Sequence, residues 1–122
     1  MDHSEVKHLP KIDHTPAELG AVGRVLWKAA DLMEERGHCR GTAWDEEGRI
    51  CAMEAIYRAS GWPNATGSGR LGDIASNAFE DALGLPNPPA GERRRPGAIF
   101  SDSSPTESVI GALRRVALTQ SD

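Results

Sequence analysis

The stretch LGAVGRVLWKAADLMEER, residues 19–36, decides the fold, because it predicts one long amphipathic helix. Its apolar residues recur at helical spacing and form one stripe: Leu19, Val22, Leu26, Ala29, Ala30 and Met33. The preceding Thr15-Pro16-Ala17-Glu18 has the pattern of a capping box with proline at the first helical position. Gly37 follows the last periodic residue, where helices commonly stop. Gly20 and Gly23 indicate either tolerated flexibility or the close approach of another backbone.

Working outward, three more segments predict helices: residues 51–60, residues 71–83, and an apolar stripe that follows a second capping-box pattern, Ser104-Pro105-Thr106-Glu107. An acidic turn at residues 45–48, flanked by short apolar runs, predicts a small hairpin. Residues 85–97 hold four prolines and predict a long connection. We therefore expect a mainly α fold of about four helices around one core, with a small β-hairpin between helices 1 and 2. Residues 15–118 form the single helical domain, and residues 1–14 an extended or disordered arm.

Composition narrows the classes of partner. The chain has 122 residues, and 14 basic against 18 acidic residues give a net charge of −4. That charge creates no general field for nucleic acid or anionic lipid, so we expect neither as a partner. The apolar runs are too short to span a bilayer, and the first residues lack the apolar stretch of a signal peptide, so we expect a cytoplasmic protein.

Cys51 is the best candidate in the sequence for a catalytic nucleophile. It stands where a predicted turn enters a predicted helix, and the N-terminus of a helix favours the thiolate form. His38 as a base and Asp102 as its orienting carboxylate would complete a cysteine-dependent hydrolase or transferase. The alternative is a small buried residue between Ile50 and Ala52. We prefer this second interpretation, since no glycine-rich oxyanion loop accompanies the cysteine.

A metal or cofactor site has little support in the sequence. His38, Cys39 and Cys51 could be ligands, but structural zinc sites usually use paired ligands such as C-x₂-C. The remaining histidines have irregular spacing: His3, His8 and His14. Phosphate-binding and dinucleotide-binding glycine motifs do not occur. We expect no metal and no cofactor, and the sequence leaves a small-molecule ligand open.

Two groups of residues are candidates for binding. Trp44 and Trp62 fall in predicted loops, where tryptophans either cap the edge of a small core or act as interface anchors. Arg93, Arg94 and Arg95 form a basic cluster in the proline-rich connection. This cluster indicates a solvated loop or, as the alternative, a contact with an anion or weak nucleic-acid binding.

Three blocks of the chain resemble an uncharacterised family of small actinobacterial and actinophage proteins, a domain of unknown function. They are AADLMEERGHCRG at 29–41, GRICAMEAIYRASG at 48–61 and FSDSSPTESVIGALRRVA at 100–117. In that family a Cys-Ala pair starts the second helix and a Trp-Asn-Asp turn precedes the last; here Phe100-Ser101-Asp102 takes its place, and only Asp102 is retained. The resemblance implies a helical bacterial or phage protein. The family has no established activity to carry over, so the expected function rests on the residues. Because the sequence has tryptophans in predicted loops and no catalytic constellation, we expect a non-enzymatic binding or regulatory protein that acts through protein contacts.

Overall fold

The computed structural model describes residue 16, residues 19–61 and residues 69–120. The predicted arm at residues 1–14, the Thr15 cap and Trp62 lie outside these residues. The described part contains five helices: α1 (Ala21–Arg36), α2 (Ala52–Ala59), α3 (Arg70–Leu83), α4 (Pro96–Ser103) and α5 (Thr106–Ala117). None of the five has the length and apolarity that crossing a membrane requires. The mainly α class is thus confirmed, whereas the number of helices differs from the expected four.

Helix α1 is the centre of the fold and packs most extensively against α5 and α2. Leu26 in its middle is fully buried. Gly23 allows the close approach to α5, because a Cβ atom there would lie 2.8 Å from the backbone oxygens of Ala117 and Gln120. The helix begins at Ala21, two residues later than the stripe suggests, because Gly20 is extended and its N–H donates to the Gln120 oxygen at 2.9 Å.

The edge of the α1–α5 contact is polar. Arg114 of α5 lies over the half-buried indole of Trp27, with its guanidinium carbon 5.5 Å from the ring centroid. The same guanidinium donates to Asp31 at 2.8 Å and to Glu34. A cation over an indole and beside two carboxylates holds the two helices in register where they meet solvent.

The hairpin predicted between the first two helices is wrong. Residues 37–51 form an irregular loop with two isolated bridges, a parallel one between His38 and Ile50 and an antiparallel one between Trp44 and Ile50. The antiparallel pair cannot lengthen into strands, because the turn from Asp45 to Gly48 closes it on one side and α2 begins at Ala52 on the other. We call residues 37–51 the Trp44 loop.

The additional helix is α4, in a region that the sequence predicts to be a connection and a short apolar run. Its proline, Pro96, stands in the first turn, where the missing N–H removes no helical hydrogen bond. The buried N–H of Gly97 in that turn donates to Oε2 of Glu80 on α3, at 2.8 Å. This cap comes from a distant part of the chain, so the local pattern does not show it.

The second capping box is also wrong. Pro105, in extended conformation, is the N-cap of α5, and the helix has no side-chain cap hydrogen bond. Ser104 instead ends α4, and its backbone oxygen accepts from Arg40 at 2.8 Å. The turn between α4 and α5 is therefore joined to the Trp44 loop.

Candidate functional site

His38 lies at the point where the Trp44 loop meets three helices. The residue follows Gly37 at the end of α1, and only 8% of it is exposed. Its Nδ1 is 3.0 Å from Oγ1 of Thr106 on α5, and its Nε2 is 3.1 Å from Oγ of Ser101 on α4. The Ser101 hydroxyl, which is fully buried, also accepts the N–H of Ala52 at the start of α2 at 3.1 Å. One imidazole thus connects the loop to α2, α4 and α5.

The electrostatics keep this imidazole neutral. Burial and the positive charge of Arg40 lower the pKa of His38 from its ordinary 6.5. They outweigh a hydrogen bond with the backbone of Ser101 and the charge of Asp102, which raise that pKa. A neutral ring has one donor and one acceptor. The chain of bonds is satisfied when Ser101 donates to Nε2 and Nδ1–H donates to Thr106. Both ring nitrogens are then occupied inside the protein.

Cys51 is the N-cap of α2, and its sulfur accepts the N–H of Glu54 at 3.4 Å. Only 7% of the residue is exposed. Burial raises the pKa of the Cys51 thiol, although hydrogen bonds from the N–H groups of Glu54 and Met53 oppose this effect. A protonated, buried thiol is a poor nucleophile.

Asp102 belongs to the same region but not to the histidine's hydrogen bonds. Its two oxygens accept from the N–H of Gly41 at 2.9 Å and from Arg94 at 3.0 Å. The structure therefore brings Asp102, His38 and Cys51 to one junction, where the charge of Asp102 affects the pKa of both other groups. The hydrogen bonds of the junction run between the loop and the helices and do not join the three residues into a catalytic relay.

The other residues weighed for a metal have separate partners. The Cys39 thiol, 5% exposed, donates to the Thr42 oxygen at 3.3 Å. Both cysteines are free thiols. Within the ranges that the structure describes, no group of three or more His, Cys, Asp or Glu side chains could hold a metal ion.

The basic cluster is largely neutralised. Arg94 pairs with Glu92 and Asp102, each at 3.0 Å. Arg95 binds Glu80 with two nitrogens, at 2.8 and 2.9 Å. The hydrogen bond from Arg94 is the main cause that lowers the pKa of Glu92 to about 2. Of the three arginines of the cluster, Arg93 alone has no ion pair within the part of the chain that the structure describes.

Trp44 is the most exposed large apolar side chain of the described residues, with 59% of its surface in solvent. Its backbone is fixed, because it bridges the fully buried Ile50. The Asp45 carboxylate next to it accepts the N–H groups of Glu47 and Arg49, at 3.1 and 2.9 Å. An exposed indole therefore stands on a well-ordered turn.

An apolar cavity of about 260 Å³ lies between α4 and the proline-rich connection. Its lining includes prolines of the connection and side chains of α4: Pro86, Pro88, Pro89, Pro96, Ile99 and Phe100. The sequence predicts neither this cavity nor the contacts that Ser101 and Thr106 make with His38. The only local signal was the four prolines, which predict a connection but not what it packs against.

Comparison with known proteins gives one match. Residues 18–119 match a family described as a family of unknown function, DUF6197. No curated protein and no protein of solved structure matches the chain. The matched residues include all five helices, the Trp44 loop, and His38 with its partners Ser101 and Thr106. The chain therefore belongs to DUF6197, a family of unknown function.

Proposed function

We propose that this protein is a non-enzymatic binding protein that contacts a partner protein through the Trp44 loop. The observation that carries the proposal is the 59% exposure of Trp44. Tryptophan is enriched among the residues that dominate binding energy at protein interfaces. An indole in water on a folded protein is an apolar surface available to a partner.

The way the loop is fixed supports the same function. Arg40 donates to the Ser104 oxygen at 2.8 Å, and Gly41 donates to Asp102 at 2.9 Å. These contacts hold the loop on the turn between α4 and α5. A side chain on an already ordered loop loses less conformational entropy when it binds, so more of its contact energy appears as affinity.

The charges around the indole indicate which chemistry the contact surface of the partner would have. Asp45 and Glu47 pair with Arg49, at 2.5 and 3.4 Å, while Glu46 is exposed. A complementary surface would have an apolar pocket for the indole and a basic group near Glu46. The partner we propose is a protein with such a pocket.

The alternatives have less support. Burial of Cys51 and the occupied nitrogens of His38 disfavour a cysteine-dependent hydrolase or transferase. The ion pairs of Arg94 and Arg95 disfavour nucleic-acid binding by the basic cluster. A cytoplasmic location and a bacterial or phage origin remain expectations from the sequence and accompany this proposal.

The experiment compares three immobilised proteins: the wild type, Trp44→Ala and Leu118→Ala. Leu118 is a matched control, because it is apolar and 57% exposed but lies at the end of α5. We expect a host-lysate protein that the wild type and Leu118→Ala retain and Trp44→Ala loses, with a Kd increase of at least about tenfold for the purified pair. Equal retention by Trp44→Ala, with its circular dichroism unchanged, would contradict the proposal.

A further inference from the structure

We infer that Cys39 and Cys51 can form an intramolecular disulfide in the native fold, closing the Trp44 loop at its base. The two cysteines directly follow the residues of the parallel bridge between His38 and Ile50. Ile50 donates its N–H to the Gly37 oxygen at 3.1 Å and accepts the N–H of Cys39 at 3.2 Å. The next residues in this register are Cys39 on one side and Cys51 on the other.

Extended by one residue, this register would place the two cysteines opposite each other. Neighbouring strands lie about 4.8 Å apart, and residues in register on parallel segments project to the same side. The Cα atoms of a disulfide are usually separated by about 4.4–6.8 Å. The closeness of the thiols also shows in their electrostatics, since Cys51 is, after burial, the next cause that raises the pKa of Cys39. The expected Cα separation thus fits a disulfide, and the Cβ atoms must approach by a few tenths of an ångström to reach the separation of about 3.5–4.5 Å that a disulfide needs.

The reduced protein holds both sulfurs in hydrogen bonds. Cys39 donates to the Thr42 oxygen at 3.3 Å, and Cys51 accepts from the Glu54 N–H at 3.4 Å. Both residues are buried, so an oxidant reaches them after the loop opens locally. Oxidation of the native protein is therefore slow. The fraction of protein that is oxidised at equilibrium depends instead on how the two cysteines are placed when the loop is closed.

The reaction with oxidised glutathione balances as two exchanges. The thiolate of one cysteine attacks the glutathione disulfide, which forms a mixed disulfide and releases one glutathione thiolate. The second cysteine loses its proton and attacks the protein sulfur of the mixed disulfide, which releases the second glutathione. The protein loses two electrons and two protons, and the glutathione disulfide becomes two thiols.

The ring that this disulfide would close consists of residues 39–51 and contains Trp44. Disulfide formation depends only on the register of Cys39 and Cys51, so it stands whether or not Trp44 binds a partner. Conversely, a partner that binds Trp44 does not require the disulfide. The two experiments can therefore fail separately.

The test equilibrates the full wild-type chain with mixtures of reduced and oxidised glutathione, in native buffer and in concentrated urea. After acid quenching, N-ethylmaleimide blocks the remaining thiols, and intact mass gives the fraction of each species. The native product should be a monomer without maleimide adducts, about 2 Da lighter than the unlabelled reduced chain. Cys39→Ser and Cys51→Ser identify the mixed disulfide by its mass.

The decisive quantity is the effective concentration of one thiol towards the other. We expect it to be at least about tenfold higher in the native protein than in urea, where only the short chain segment keeps the thiols together. By linkage, the oxidised form should then unfold at a higher urea concentration than the reduced form. An equal or lower native value, a purely intermolecular product, or a less stable oxidised form would each overturn the inference.

Discussion

Glu80 on α3 accepts the backbone N–H of Gly97 at 2.8 Å and so caps a helix that begins well beyond it in the chain. The same carboxylate binds Arg95 through both of its oxygens. Burial alone would raise the pKa of Glu80, but the hydrogen bonds from Arg95 and Gly97 outweigh it, and the pKa lies below 4.5. This ionised side chain joins α3, the proline-rich connection and α4.

Replacement of Glu80 tests that role. We expect Glu80→Gln to lower the free energy of unfolding by about 2 kcal/mol, because Arg95 keeps its charge and loses its carboxylate. The loss should be smaller than for a fully buried pair, since a third of the Arg95 side chain is exposed. Urea unfolding at neutral pH measures it.

Asn77 provides the matched control for Glu80. Its side chain is exposed and accepts from Arg95 at 2.8 Å, so Asn77→Ala removes a neutral partner of the same guanidinium. We expect a loss of about 0.5 kcal/mol. The lowered pKa of Glu80 adds a second test. The stabilisation that the ionised Glu80 side chain contributes to the fold is present above pH 4.5 and is lost as the pH falls through the pKa of the folded state. Equal losses for both variants would show that the charge of Glu80 has no special role.

Gly23 and Gly111 predict opposite effects of the same substitution. At Gly23 a Cβ atom would meet two backbone oxygens at 2.8 Å, and backbone cannot move aside cheaply. We expect Gly23→Ala to destabilise the protein by about 1–3 kcal/mol. Gly111 lies inside α5 with nothing within 4 Å of an added Cβ. Gly111→Ala should stabilise by about 0.5–1 kcal/mol through helix propensity. Thermal melts of both variants check the pair, and stabilisation by Gly23→Ala would contradict the close helix contact.

The features that the sequence predicted correctly are local. The helices α1 and α3 are indicated by apolar side chains one helical turn apart, a pattern that lies within each segment. The buried face of α3 differs from the predicted stripe in one respect, because Ile74 is 46% exposed while Ser76 and Glu80 are buried. Gly84 ends α3 in the left-handed conformation that a glycine after an apolar stripe predicts. Gly23 shows the limit of such cues, because the sequence allowed either flexibility or close approach and only the position of Ala117 decides between them.

The features that the sequence did not reveal depend on distant contacts. Helix α4 has only eight residues, and its N-terminus is capped by Glu80, 17 residues before Gly97. His38 contacts Thr106, which lies 68 positions later in the chain. Ser101 gives no local signal of burial, since a serine in a short polar segment is usually exposed. A fully buried hydroxyl there is explained only by its two partners.

The neutral state of His38 predicts a loss of stability in mild acid. Its folded pKa lies below the unfolded value of 6.5, so the unfolded chain takes up a proton first as the pH falls. The contribution of His38 is therefore present above pH 6.5 and is lost as the pH drops towards the folded pKa. We expect the urea midpoint to fall between about pH 7.5 and about pH 5.5, and His38→Gln to reduce that slope. An unchanged slope in the variant would assign the effect to other groups.

The charge of the protein predicts weak interaction with DNA. The net charge is −4, and Arg94 and Arg95 of the basic cluster already bind carboxylates. We expect no submicromolar binding of a fluorescent duplex in an anisotropy titration at moderate salt. Tight binding that weakens steeply with salt would require a basic face that these ion pairs do not provide.

The reactivity of Cys51 distinguishes a structural cysteine from a nucleophile. Two influences act on its thiol: burial raises the pKa, and the N–H groups of Glu54 and Met53 at the start of α2 lower it. Burial is the larger influence, because desolvation of a largely buried group exceeds the effect of a helix terminus. Iodoacetamide should therefore modify Cys51 slowly in the native protein and much faster in urea, with a native rate that still rises above pH 9.0. Rapid native modification with an apparent pKa below about 7 would mean that the thiol reaches solvent as a thiolate, and the enzymatic alternative would then replace the structural one.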